Sequence, residues 1–361
     1  MSLKQERFGF DKQGNAVTRF ILMNATGCRA SLLDFGATIQ SLWVPDRTGE
    51  LADVVLGYPD MTGYLSATNP RHGATIGRVA NRISQGRFTL DGQIIELAKN
   101  KDPNHMHGGF VSFDKKLWQA SALSDGDEPA VRFTLVSEDG EEGYPGRLTT
   151  HLTYTLTADN ALRLDYEAVS DRTTIINLTN HVYFNLRGHA AGKIDDQLLT
   201  IHADQVTAID ETCYPTGEIR AVIGTALDFT QPKPIGQGID SPEAQIAYAR
   251  GYDHNYVLRG YRGRQTEPNP FACALVEDPQ SGRTLTVETT SPGIQFYTAN
   301  NMRTGESGKD SAQYQVRGSY CLETQYFPDT VHHDNFPSIV YEAGEIFRHT
   351  TVYQFGVTQT T

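Results

Sequence analysis

The chain has 361 residues, a formal net charge of -12 and no long run of Lys or Arg, a balance that repels phosphate backbones and anionic bilayers and argues against nucleic-acid and membrane partners. Hydrophobic residues make up 39% and aromatics 10%, with 17 Tyr and 16 Phe, enough to fill a large core and leave rings for a binding surface. No apolar stretch approaches the roughly 20 residues that span a bilayer, and the opening MSLKQERFGF lacks a signal peptide's apolar region, so a cytoplasmic location is expected.

In chain order, residues 17–45 alternate apolar or β-branched residues with polar ones. Asp34-Phe35-Gly36 and Asp46-Arg47-Thr48-Gly49 supply turns, so successive strands are expected. A hairpin is expected over residues 86–97, turning at Asp91-Gly92, where a tight turn demands positive φ. A second is expected over residues 147–169, turning at Asp159-Asn160. Further strands are expected at 174–186, 197–209, 283–290, 293–298, 319–327 and 350–357. Helical periodicity is nearly absent; only Pro242 to Arg250 reads as a short helix, with Ser241 as N-cap and Pro242 at the first helical position. No repeat or linker divides the chain, so packed antiparallel sheets, a sandwich or barrel, in a single domain over residues 1–361 are expected. Cys28, Cys213, Cys273 and Cys321 lie far apart and read as reduced, mostly buried thiols; the sequons at Asn24 and Asn177 read as chance matches.

Strand alternation splits IINLTNHVYFNL, residues 175–186, into two unlike faces. One carries Ile176, Leu178, Val182, Phe184 and Leu186; the other carries Asn177, Thr179, His181, Tyr183 and Asn185. A solvent-facing strand alternates in the same way, but the absence of Lys, Glu and Arg from the polar row favours a lined cleft. In SYCLETQYFPD, Glu323 and Gln325 share a face opposite Leu322, Thr324 and Tyr326. There Glu323 is either one half of a surface ion pair or a partly desolvated carboxylate with a raised pKa, suited to act as a base.

Three polar clusters, GRVANRI, NHMHGG and GYDHNYVL, combine hydrogen-bonding side chains with glycine or aromatics, as a polyhydroxylated ligand requires. Asn81 and Arg82 offer donors, His107 precedes two glycines, and Asp253 can accept from a pair of hydroxyls. His105 with His107, and His332-His333-Asp334, have metal-like spacing. No Cys pair or HExxH accompanies them, so no metal is expected, and no phosphate-binding Gly loop is present.

Those residues carry a resemblance. GRVANRI, NHMHGG leading to FDKKLW, EEGYPG, TNHVYFNL, GEIRAVIGTALDF, YDHNYVL, PGIQFYTAN and LETQYFPD are similar, in order and over nearly the whole length, to the landmarks of the aldose 1-epimerase (galactose mutarotase) family. The resemblance implies an all-β fold, a β-supersandwich of large antiparallel sheets. It implies action on a free monosaccharide without a cofactor, by a monomer or homodimer. It places His181 on the family's general acid, Glu323 on its general base, and Asn81, Arg82, His107, Asp253 and Gln295 on positions that hold hydroxyls or orient the ring. Ser112 and Ala299 stand where glycines are expected, Tyr326 replaces a histidine and Ala343 a proline; Ser112 and Tyr326 are candidates for altering sugar preference.

Mutarotation needs a proton removed from the anomeric hydroxyl while another reaches the ring oxygen. A histidine with an ordinary pKa of about 6.5 and a glutamate raised towards it from about 4.3 suit that exchange. The rivals are a glycosidase using Asp253 and Glu323, a hexose-6-phosphate 1-epimerase with extra cations in its cleft, and a non-catalytic sugar-binding module.

Overall fold

The computed structural model describes residues 3–267 and 269–358. The alternating segment 17–45 folds as expected into successive strands, Ala16–Met23, Arg29–Leu33 and Thr38–Pro45; Leu3–Phe10 and Leu51–Asp53, which are not among the expected strands, extend them to a meander of five antiparallel strands, each paired to the next in chain order. The turn at Asp46 closes because its Oδ1 accepts the N–H groups of Thr48 at 2.7 Å and Glu50 at 3.0 Å.

A nine-stranded antiparallel sheet is the largest element. One half is Gln119–Ser124, Ala130–Ser137, Leu148–Leu156 and Ala161–Ser170; the other is Arg283–Thr289, Phe271–Glu277, Leu198–Ile201 and Lys233–Pro234. The twelve-residue strand Ile346–Val357 inserts between the halves, so the end of the chain zips the sheet together. Both expected hairpins form, Arg87–Leu90 with Gln93–Glu96 and Leu148–Leu156 with Ala161–Ser170. Asp91, Gly92 and Asn160 take the left-handed backbone that their turns demand.

The second five-stranded sheet runs Pro215–Ala221, Ala203–Ile209, Asp253–Leu258, Gly293–Tyr297, Cys321–Gln325. Two chain segments pass from the nine-stranded sheet into it. The strand expected over residues 197–209 breaks at His202, whose N–H turns to Cys273 O at 2.8 Å. Arg283–Thr289 likewise leads through three residues into Gly293–Tyr297. Strands that change sheets make the corner of a sandwich. A continuous apolar core runs through these layers from Phe20 to Phe355. No described helix is long and apolar enough to cross a membrane.

Two expectations are corrected. The segment 174–186 is not one strand: only Thr174–Ile175 and Thr179–Asn180 form strands, Asn177 and Phe184 make isolated bridges, and every residue in the stretch is buried. The helix spans Ala244–Ala249 with Glu243 before it, and Ser241 Oγ accepts the Glu243 N–H at 3.3 Å as a turn instead of a cap.

Candidate active site

The buried course of residues 174–186 changes the meaning of its polar row. Asn177 Oδ1 accepts the Tyr326 N–H at 2.9 Å, Thr179 Oγ1 donates to Thr324 O at 2.8 Å, and Asn185 Nδ2 donates to Gly192 O at 2.8 Å and Gly318 O at 3.0 Å. These side chains pin the segment to neighbouring backbone, as buried polar groups must be pinned. Only His181 and Tyr183 of the row line a cavity. The His181 backbone is clamped between Ala74 O, which accepts its N–H at 2.9 Å, and the Gly73 N–H, which donates to its carbonyl at 3.1 Å.

The floor of that cavity is built by the second five-stranded sheet. Its register sets Asp253 beside Tyr297 and Cys321, and Asn255 beside Gln295 and Glu323, so period-two alternation brings the acidic and amide groups to one face. The cavity has a volume of about 190 Å³ and is lined in part by Asn81, Arg82, His107, His181, Asp253 and Glu323. The structure thus brings six of the seven expected residues to one wall system. Gln295 lies beside it, 2% exposed, and its Nε2 donates to Asp253 Oδ1 at 2.7 Å. Its position is that of a prop for Asp253.

A chain of hydrogen bonds orders the cavity. Arg82 donates through Nη1 to Asn81 Oδ1 at 2.8 Å and through Nη2 to Asp253 Oδ2 at 3.0 Å. Asn81 and His107 hold one another: the His107 N–H donates to Asn81 O at 2.8 Å and the Asn81 N–H to His107 Nδ1 at 3.1 Å. Because Nδ1 accepts, the other ring nitrogen of His107 carries the proton and is a donor. Both residues have positive φ, 64° and 48°, a strained backbone of the kind that gathers at functional sites. Gly108 permits this turn, since a Cβ there would lie 1.9 Å from Gly77 O.

His181 Nε2 lies 3.7 Å from Glu323 Oε1, and His181 Nδ1 lies 3.5 Å from the Cys321 thiol. Burial keeps that thiol protonated, and the contact leaves Nε2 facing the carboxyl. Burial pushes the Glu323 carboxyl up to about 8; Asp253 adds to the rise, and Arg82 and Arg71 oppose it. Burial pulls His181 down to about 3, with Arg71 adding to the fall. His107 is held well below 6.5 by burial and then by Arg71. The two proton-transfer candidates therefore do not sit near one another around neutrality, as the sequence reading expects. Their order is inverted: in the protein alone the shared proton rests on Glu323 and His181 is neutral.

Ligand atoms of His107, His181 and Glu323 lie within 4.8 Å of one another, a set that could reach a metal ion. The guanidinium groups of Arg71 and Arg82 border the same cavity and oppose a divalent cation there. The His-x-His spacing itself does not converge. His105 points into the core, where Nδ1 donates to Ala98 O at 2.6 Å and Nε2 takes the Tyr144 hydroxyl at 2.7 Å. His332 turns to Asp329 at 2.7 Å, not to Asp334.

Neither Ser112 nor Tyr326 is among the cavity's lining residues. Ser112 Oγ bonds Asp114 ahead of a short turn, and Tyr326 is buried beside Tyr341. Ala299 keeps φ at 53°, which explains why a glycine is expected there. Sequence reasoning missed Arg71, Met106, Asn301 and Met302 as lining residues. For Arg71 the available signal was a basic residue inside the turn sequence Asn-Pro-Arg-His-Gly.

Large antiparallel sheets meeting at a corner, with a histidine and a carboxyl over a hydrogen-bonded polar floor, define a galactose mutarotase-like protein. Two solved structures share the architecture. A galactose 1-epimerase from Lactobacillus acidophilus has a TM-score of 0.84 at 29% identity, covering 99% of this chain and 100% of that one. An aldose epimerase homologue from C. elegans has a TM-score of 0.83 at 28% identity, covering 95% and 100%. The family model described as aldose 1-epimerase matches residues 19–354. Human galactose mutarotase is 43% identical over 344 residues, 95% of each chain, and the Escherichia coli aldose 1-epimerase is 33% identical over 342 residues, 92% of this chain and 94% of the relative. The chain belongs to the aldose 1-epimerase family.

Proposed function

We propose that the protein is an aldose 1-epimerase that interconverts the α and β anomers of free hexoses such as D-galactose and D-glucose, with His181 as acid and Glu323 as base. The observation that carries this reading is the 3.7 Å separation of His181 Nε2 and Glu323 Oε1 over a wall of hydroxyl-binding groups. The anomeric hydroxyl and the ring oxygen are bonded to the same carbon, so two groups that serve them must converge within a few ångströms. A glycosidase instead separates two carboxyls by about 5–5.5 Å or about 6.5–9.5 Å. The second carboxylate here, Asp253, also has both oxygens engaged, by Arg82 and Gln295. The single-domain organisation belongs to this proposal and is supported by the continuous core.

The forward step begins once the proton that rests on Glu323 has passed to His181 Nε2, 3.7 Å away; the Glu323 carboxylate then takes the proton from the anomeric hydroxyl while the His181 imidazolium gives one to the ring oxygen. The C1–O5 bond breaks, its electron pair stays on O5, and C1 becomes the carbonyl carbon of the open-chain aldehyde. Rotation about C1–C2 presents the other face, and closure reverses both transfers. Ring opening thus ends with a neutral imidazole and a protonated carboxyl, the arrangement that burial favours in this pocket. The pocket favours the protonation state that accompanies the open-chain aldehyde over the ion pair that precedes ring opening. The hydrogen-bonded Asn81, Arg82, Asp253 system and His107 hold the hydroxyls in position meanwhile.

The test is polarimetry or NMR on freshly dissolved α-D-glucose, α-D-galactose and L-arabinose. Faster anomer exchange in at least one is expected; no acceleration in any defeats the reading.

A further inference from the structure

Arg71 is the guanidinium in the cavity wall with no partner for its charge at hydrogen-bond distance among the described residues. Arg82 is committed to Asn81 and Asp253. The side chain of Arg71 makes no hydrogen bond among the described residues; its Nε is buried and unpartnered, and it approaches Asp114 Oδ2 only to 3.6 Å. Ser112 Oγ bonds the other carboxylate oxygen of Asp114, Oδ1. The Arg71 side chain is 24% exposed, but a buried N–H of its guanidinium left without a hydrogen bond is costly, and its retention calls for an explanation.

The backbone around Arg71 is built to hold it in place. Its φ is 71°, left-handed in a residue with a long side chain. Asn69 fixes that conformation: its Oδ1 accepts the N–H groups of Arg71 at 3.0 Å and His72 at 3.2 Å, and its Nδ2 donates to Tyr64 O at 3.1 Å. Strain held by a preformed turn marks sites where a side chain must be presented to something.

Arg71 lines two cavities at once. One is the 190 Å³ cavity with His181 and Glu323; the other, of about 450 Å³, includes Lys12, Asn69, Phe110 and Lys115 in its walls. Arg71 therefore stands at the junction, with the acid and base on one side and a roomier chamber on the other.

We propose that Arg71 is a further substrate-binding residue, which donates to one oxygen of the sugar on the side turned towards the larger chamber and makes that position the one at which substrates are discriminated. The proposal rests on the epimerase reading and deepens it. A guanidinium donates to a hydroxyl oxygen there and binds a carboxylate better, because two of its N–H groups can donate to the carboxylate in parallel.

The test compares wild type, Arg71→Met and Arg71→Lys by NMR anomer exchange on D-galactose, its 2-, 3-, 4- and 6-deoxy analogues, and D-galacturonate. Arg71→Met is expected to raise KM for D-galactose about tenfold, the scale of one charge-assisted hydrogen bond, with kcat little changed. One deoxy sugar should be indifferent to the substitution, which identifies the oxygen contacted, and Arg71→Lys should restore part of the loss. An equal loss on every sugar, a loss in kcat alone, or no change overturns the assignment. Failure of the wild type to accelerate any sugar defeats the epimerase reading instead, so the two failures are distinguishable.

Discussion

Two buried pairs in this molecule, each a nitrogen base facing a carboxyl group, have the same side-chain exposure, 7% and 3%, and opposite character. Lys309 and Asp53 meet at 2.5 Å, and Lys309 Nζ also donates to Gln40 O and Val55 O at 2.8 Å each. Asp53 Oδ1 accepts the N–H groups of Leu42 at 2.9 Å and Val55 at 3.3 Å, so this pair is saturated. His181 and Glu323 stand 3.7 Å apart, and Glu323 Oε2 has no partner among the described residues. Burial alone does not separate structural charge from functional charge; what separates them is how much hydrogen-bonding capacity the protein leaves unspent.

The largest expected effect breaks the open pair. Glu323→Gln and His181→Asn should each lower the anomer-exchange rate by about 10²–10⁴-fold, the usual contribution of a positioned acid or base, without lowering the melting temperature. Lys309→Met should do the reverse: losing one partner of a buried pair costs about 3–5 kcal/mol, seen in urea unfolding, while the remaining folded protein keeps its KM and kcat. A rate defect in Lys309→Met as large as in Glu323→Gln, at unchanged stability, would collapse the comparison.

A smaller effect follows from protonation. The productive pair carries one proton, which is lost above the Glu323 value of about 8, while a second is gained only below the His181 value of about 3. The pH profile of kcat/KM should be flat between those limits and fall about tenfold per unit above the upper one. A rise through pH 6.5, as for an ordinary histidine titrating alone, would show that the pocket does not shift the pair.

Much of this was legible in the sequence, for identifiable reasons. Asp91-Gly92 and Asp46 to Gly49 encode their turns locally, so the strands between them could be read directly. Glu323 could be placed among apolar neighbours because Cys321–Gln325 is a true strand. Residues 174–186 read as one strand lining a cleft because alternation marks two different surroundings without saying what either is; there His181 and Tyr183 reach the cavity while Asn177, Thr179 and Asn185 meet backbone carbonyls and amides inside the protein. The inverted order of the two pKa values depends on burial that only the packed sheets create. Arg71 depends on a left-handed turn held by Asn69, a long-side-chain placement that neither periodicity nor spacing encodes.

The smallest expected effect sharpens the contrast most, because it reverses sign between the pairs. Glu323 holds its proton in the folded state up to about 8, whereas an unfolded glutamate releases it near the ordinary value of 4.5. Between those limits the folded state binds more protons than the unfolded one, so this group's contribution to stability falls as pH rises through the window. His181 acts in the window from about 3 to 6.5, where the unfolded state binds more protons and stability rises with pH. Glu323→Gln removes the first penalty and leaves the second. Its melting temperature should match wild type near pH 4.5 and exceed it by a few degrees at pH 8, measured by circular dichroism. A difference independent of pH would mean that Glu323 is not carried as a buried, uncompensated carboxyl. A saturated pair such as Lys309–Asp53 offers no such gain, because either substitution strands a charge whose other bonds the fold has already arranged.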